Sequence, residues 1–355
     1  MKWVPEARLM VYCSLEGSER KRHSVKDRDS VYGDLFPLLY SATQKFNPDF
    51  QPRQGGISAS LQLTEDILER LRKKYLANLA RNTIFLSELA KVLEAFNKIG
   101  VSTIVLKGAL LLETVYRDIG TREINDLDLL IHKEDLPNAT ETLSKLGYSF
   151  CGTNEGTHAV YSKDILVELH WDLVNKHSPA QKFAFGEVDV DKIWESAIRV
   201  KVVSKDAFTM SPEDLIIYLS CHLLKEFYSD PKWLGDIHAV IDTFNIVWDS
   251  LVKRSKEFKV SKPVYYALYY ANRLFGTPIP KMALDELLPR NGWVEKRLFS
   301  LPLHNESLVS WRFLAYLFAI ERLIDRIKMI VQLPAYLLKR RRINTAPDYH
   351  QSLPS

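Results

Sequence analysis

A chain of 355 residues, 46% hydrophobic and 26% charged, has the balance of a folded globular protein with room for two or three packed units, which excludes a disordered or fibrous chain. The net charge of +4 favours an anionic substrate but lies far below the charge density of a dedicated nucleic-acid binder, so there is no strong nucleic-acid signal. Cys13, Cys151 and Cys221 lack any paired spacing, which argues against a disulfide framework or a cysteine zinc site and fits a reducing, cytoplasmic setting.

Met1 to Leu15 carries Lys2, Glu6 and Arg8 among its apolar residues and lacks the apolar core of a secretory signal, and no apolar run reaches membrane-spanning length. The first sixty residues read as irregular, with a charge-rich stretch from Glu16 to Asp29 and a Pro/Gln/Gly loop from Asn47 to Gly56. From Thr64 onward Ile67, Leu68, Leu71, Tyr75, Leu79, Leu89, Val92, Leu93 and Phe96 recur at helical spacing behind acidic Glu65 and Asp66. This predicts one long or two shorter helices that stop at Gly100.

Between Ser102 and Val203 the texture is mixed. The pattern predicts a strand at Thr103–Leu106, a helix at Gly108–Tyr116, a strand at Ile124–Ile131 and a helix at Lys133–Leu146. His158–Ser162 and Ile165–Trp171 then flank Lys163-Asp164 as a hairpin. Ser211-Pro212-Glu213 reads as a capped helix start, and the chain is mostly helical from there to about Leu338. A basic run, Lys339 to Arg342, leads into a polar tail expected to be disordered.

The sharpest chemical signal is Asn125-Asp126-Leu127-Asp128-Leu129, two acids at i and i+2 in an apolar strand. Alternate strand residues share a face, so the two carboxylates point the same way, and a divalent cation with its preference for hard oxygen would justify holding them together. A bare Asp-x-Asp fits a solvent-facing edge strand equally well, and context has to decide. Leu106-Lys107-Gly108-Ala109 ends a strand and opens a helix, where backbone N–H groups can meet an anion and Gly108 allows close approach. Val167-Glu168-Leu169-His170-Trp171 places one acid in a later apolar strand, either as a third metal carboxylate or as an ordinary edge glutamate. His170 shares the face of Glu168, as a hydrogen-bonding partner behind a ligand or as a core histidine. Cys221-His222 reads as core rather than metal site.

Taken in order, these features resemble the nucleotidyltransferase superfamily that includes DNA polymerase β. They are similar in particular to a largely uncharacterised bacterial subgroup whose pattern is matched by Leu106-Lys107-Gly108, Tyr116, Arg122 and Asp126-Leu127-Asp128. Glu168-Leu169-His170-Trp171, Pro212-Glu213-Asp214-Leu215, His222 and Trp233 to Asp236 extend the likeness. Ala109 stands where the superfamily usually has Gly or Ser, and the charges of Lys107 and Arg122 are expected to compensate.

The resemblance implies an α+β fold: a small mixed β-sheet nucleotidyltransferase core at 101–203, behind an N-terminal segment (1–100) that is irregular and then helical. A helical domain at 204–338 and a basic tail at 339–355 follow. It implies Mg²⁺ or Mn²⁺ held by Asp126, Asp128 and Glu168, and a nucleoside triphosphate gripped by Lys107, Gly108, Ala109 and Arg122. His170 and Asp236 would support the ligands or face the acceptor, which is a small molecule, a saccharide or a protein. The activity implied is transfer of a nucleoside monophosphate to a hydroxyl with release of pyrophosphate. A sugar-nucleotide glycosyltransferase and a non-catalytic nucleotide-binding or scaffold protein are the alternatives. Three gathered anions repel one another, so Asp128→Asn is expected to leave the metal-free protein as stable or more so.

Overall fold

The computed structural model describes residues 65–154, 157–226, 232–289 and 309–343, with backbone alone at 65–68, 154, 309–313 and 337–343. The irregular segment expected before Thr64 and the tail from Asn344 lie outside the described residues. Among those residues, no helix is long and apolar enough to cross a membrane.

The helical periodicity after Thr64 yields one helix, α1 (Glu65–Lys98). Leu89, Val92, Leu93 and Phe96 form its fully buried stripe, at the spacing of one helix face. It stops where Gly100 takes φ +76°, with Gly100 N–H donating to the Asn97 carbonyl and Val101 N–H to that of Phe96. These paired bonds satisfy the last carbonyls, and the left-handed residue turns the chain into the sheet.

The sheet is mixed and seven-stranded: β1 (Ile104–Val105), β2 (Leu127–Leu130), β3 (Ser149–Asn154), β4 (His158–Ser162), β5 (Leu166–His170), β6 (Ile198–Val202) and β7 (Lys205–Thr209). Their order across the sheet is β3-β4-β5-β2-β1-β7-β6. The β2–β5 and β1–β7 pairs are parallel and the others antiparallel. Its two central acid-bearing strands, β2 and β5, are neighbours. The expected helix at 108–116 is α2 (Lys107–Leu111) running into a π-helical turn, Leu112–Tyr116. The next helix, α3 (Leu136–Lys145), starts behind a 3₁₀ turn.

Several elements were not anticipated. These are β3, the short helices α4 (Pro179–Phe185) and α5 (Val190–Glu195), and the β6–β7 hairpin, which carries the sheet past Val203 to Thr209. The helical part follows: α6 (Pro212–Lys225), α7 (Lys232–Thr243), α8 (Trp248–Glu257), α9 (Ser261–Phe275), α10 (Lys281–Leu287), α11 (Val309–Ala319) and α12 (Leu323–Ile343). Ser211 caps α6 by accepting from Asp214 N–H, with Pro212 in the first turn, as the sequence indicated. Lys339 to Arg342 belong to the last turn of α12 rather than to an unstructured tail. One apolar core runs from the inner face of α1 through both faces of β2 to α6, α7 and α9. The C-terminal end of α6 and the start of α7 share one cleft with the acids that the sheet presents.

Candidate active site

In the parallel β2–β5 pair Asp128 stands opposite Glu168, and Leu130 opposite His170. Paired and alternate strand residues share a face, so Asp128, Glu168 and His170 project together, while Leu127, Leu129, Val167 and Leu169 fill the core on the other side. Asp126 lies just before β2 rather than inside it. One oxygen from each of Asp126, Asp128 and Glu168 nevertheless falls within 4.8 Å of the other two.

Their electrostatic situations differ. Asp128, 2% exposed, accepts from Lys107 Nζ at 2.8 Å and lies 3.1 Å from His170 Nε2. Burial acts to raise its pKa, but the charges and hydrogen bonds of Lys107 and His170 outweigh burial and hold it far below the usual carboxylate range. For Asp126 the balance is reversed: burial first, and the Asp128 charge next, outweigh the opposing charges of Lys107 and Arg122 and push it up to about 7. Glu168 is held low, with burial overcome by the His170 hydrogen bond. Burial would lower both Lys107 and His170, yet the carboxylates beside them raise both. Lys107 adopts φ +46° at the strand-to-helix turn, a strained conformation for a side-chain-bearing residue that accompanies the aim of its ammonium at Asp128.

Arg122 and Asp236, 4% and 0% exposed, form a bidentate pair, and Tyr116 donates to the same carboxylate at 2.7 Å. The guanidinium also lies over Trp233, 5.1 Å from the ring centre. It presses so closely on Gly108 that a Cβ there would collide with Arg122 Nη1, which gives Gly108 a packing role beside any role toward phosphate. Ala109 packs into the core and does not line the cleft, so any contribution to a nucleotide is through its backbone. Of the two roles open to Asp236, contact with an acceptor has no geometric support. It lines no part of the cleft, and its oxygens are engaged by Arg122 and Tyr116.

The cleft holds about 270 Å³. The sheet side contributes Lys107, Gly108, Arg122, Asp126, His158 and Glu168, and α6 and α7 contribute His222, Lys225, Lys232 and Trp233. Lys107 and Arg122 on one side and Lys225 and Lys232 on the other thus give the cleft cations suited to a polyanion beside a cluster of carboxylates. A smaller cavity of about 40 Å³ behind it is bounded by Lys107, His170, Tyr218, Cys221 and Lys225. Burial drives the Cys221 thiol far up in pKa, which suits the core reading of that residue. His158, Lys225 and Lys232 are the site residues that sequence reasoning missed. His158 had a signal, since it begins the strand expected to pair with the one bearing Glu168.

The donor set of Asp126, Asp128 and Glu168 fits a hard divalent cation: all three ligands are oxygens, and burial and the Asp128 charge together outweigh the help that Lys107 and Arg122 give the ionised form of Asp126.

A family model described as uncharacterised nucleotidyltransferase matches residues 32–276. No curated protein matches the chain. Among solved structures, the antibiotic-resistance factor ANT(2'')-Ia is 12% identical with a TM-score of 0.36, over 54% of this chain and 96% of that one. An antigenic nucleotidyltransferase-like protein from Paracoccidioides brasiliensis is 15% identical with a TM-score of 0.38, over 56% and 95%. The lincosamide antibiotic adenylyltransferase LnuA is 14% identical with a TM-score of 0.32, over 44% and 97%.

Proposed function

The chain belongs to the uncharacterised nucleotidyltransferase family, and from that premise we propose that it moves a nucleoside monophosphate from a nucleoside triphosphate to an acceptor hydroxyl. The observation that carries this reading is the convergence of Asp126, Asp128 and Glu168 beside a cation-lined cleft, with Asp126 and Glu168 in its wall. In the reaction the acceptor oxygen bonds to the α-phosphorus, and the bond from that phosphorus to the bridging oxygen breaks. Pyrophosphate leaves with the electron pair, and the acceptor proton passes to a carboxylate oxygen of the cluster.

Asp126, Asp128 and Glu168 would hold Mg²⁺ or Mn²⁺, which when bound neutralises phosphate charge and lowers the pKa of the attacking hydroxyl. Lys107 orients Asp128 from behind and adds charge to the cleft, as its 2.8 Å contact supports. Lys225 and Lys232, on the opposite wall, are placed to receive the polyphosphate. Arg122, tied to Asp236, holds the shape of the wall rather than moving with the substrate.

The test is incubation of the purified protein with each labelled nucleoside triphosphate, Mg²⁺ or Mn²⁺, and a cell extract. Label on an acceptor together with pyrophosphate release is the expected result. Nucleotide binding without transfer would favour the non-catalytic alternative, and no binding of any nucleotide would overturn the proposal.

A further inference from the structure

Strand β4 sets His158 opposite His170 of β5, and the two rings lie 4.5 Å apart between centres. Glu168 stands on the same face, with Oε2 at 3.5 Å from His158 Nε2 and 3.3 Å from His170 Nε2. We propose that His158, Glu168 and His170 form a second cation site, one that takes a zinc-class transition metal rather than magnesium. It goes beyond nucleotidyl transfer and does not depend on it.

The spacing supports this. Charge-assisted N–H···O bonds are usually about 2.7–2.9 Å long, so 3.3 and 3.5 Å are long for direct pairs. Ligands about 2.0–2.1 Å from a tetrahedral zinc ion stand about 3.3 Å from one another. The two separations from Glu168, 3.3 and 3.5 Å, match that spacing, and all three donor atoms lie within 4.8 Å of one another. Two imidazole nitrogens and one carboxylate oxygen are a donor set that zinc and cobalt accept and that magnesium, which prefers oxygen, does not.

The supporting structure is also present. Thr157 Oγ1 lies 3.1 Å from His158 Nδ1, and with Nδ1–H donating to that hydroxyl Nε2 is left unprotonated toward Glu168, the arrangement a metal-binding histidine takes. Both histidine side chains are buried, 8% and 9% exposed, so the rings are held in place. His158 and Glu168 border the cleft, which gives an ion a way in and leaves a fourth position toward it. On binding, the metal replaces the proton that His170 Nε2 shares with Asp128 and Glu168. Because Glu168 belongs to both groups, an ion on the histidine side leaves the carboxylate cluster with Asp126 and Asp128 alone.

The experiment uses the full chain, stripped of metal and free of nucleotide. Zn²⁺ is titrated against a chromophoric chelator, and the zinc-loaded protein is examined by zinc-edge X-ray absorption. One ion per chain with imidazole nitrogens in its coordination shell is the expected result, with affinity falling about tenfold or more in His158→Gln. An all-oxygen shell would place the ion among Asp126, Asp128 and Glu168 and overturn the proposal. So would failure to bind Zn²⁺, or a folded His158→Gln variant that binds it as tightly as the wild type. If that variant does not fold, the absorption spectrum of the wild-type protein decides alone. Since no nucleotide is used, the outcome is separate from that of the transfer assay.

Discussion

Arg122 and Asp236, 114 residues apart, meet in a two-pronged ion pair: Nε and Nη2 of the arginine donate to the carboxylate oxygens at 2.8–3.1 Å. Both charges are almost fully withdrawn from water, so removing either leaves the other buried without its counter-charge. Asp236→Ala is therefore expected to lower stability by about 3–5 kcal/mol, measured by urea denaturation. A loss under about 1 kcal/mol would show that the pair is not a structural clamp.

The two aspartates should respond to substitution in opposite ways. Asp128 is the counter-ion of Lys107, so Asp128→Asn strands a buried ammonium and should destabilise the metal-free protein by a few kcal/mol, about 3. This reverses the expectation drawn from mutual repulsion of the acids, because the positions of Lys107 and His170 in the chain did not show that both pair with Asp128. Asp126 bears the repulsion instead, and Asp126→Asn should leave metal-free stability equal or higher. Both should abolish transfer. Denaturation midpoints of the two variants falling together would contradict the asymmetry.

The same carboxylate gives a pH signature. Asp126 has a folded-state pKa of about 7 against an ordinary 3.8, so the folded state holds its proton more tightly than the unfolded state does. Below 3.8 both states are protonated and the group contributes nothing. Between the two values the unfolded state ionises first and stability falls as pH rises, and above about 7 the full penalty remains. A bound cation relieves that penalty, so Mg²⁺ should raise the melting temperature more at about pH 8 than at about pH 6. Equal increments at both pH values, or the same pH trend in Asp126→Asn, would contradict the assignment.

Lys225 ends α6 and borders both cavities, and burial, followed by the Lys107 charge, lowers its pKa. Its ammonium is thus poorly accommodated until an anion arrives. Lys225→Met should match or exceed wild-type stability without nucleotide, and should weaken triphosphate binding about tenfold or more in calorimetry. Unchanged affinity would remove Lys225 from the polyphosphate contact.

Asp128 and Glu168 were legible because each sits in a period-two apolar pattern that fixes its face, Leu127-Asp128-Leu129 and Val167-Glu168-Leu169. That β2 and β5 are neighbours is set by tertiary topology, and so the meeting of Asp128 with Glu168 had to come from the structure. Strand β6 did carry a signal, Ile198, Val200 and Val202 alternating with Arg199 and Lys201. It went unread because its hairpin turns at Val203 and Ser204, both at positive φ, with none of the Gly or Asn that marks such turns. Ser149, Gly152 and Asn154 are weak strand formers, and β3 exists through its pairing with β4. The partner of Asp236 was illegible for the same reason as the β2–β5 contact, distance along the chain.

The left-behind charge also bears on how the molecule comes apart. A fragment cut after Thr209 would retain every strand of the sheet yet lack the aspartate that balances Arg122, whose guanidinium is wedged against Gly108 at the root of α2. That contact ties the strands to the helices that follow them, far from either chain end, and the two are expected to unfold as one unit. Limited proteolysis between β7 and α6 should release pieces that lose their structure together, and a urea titration of the whole should pass through one transition in which sheet and helix melt in step.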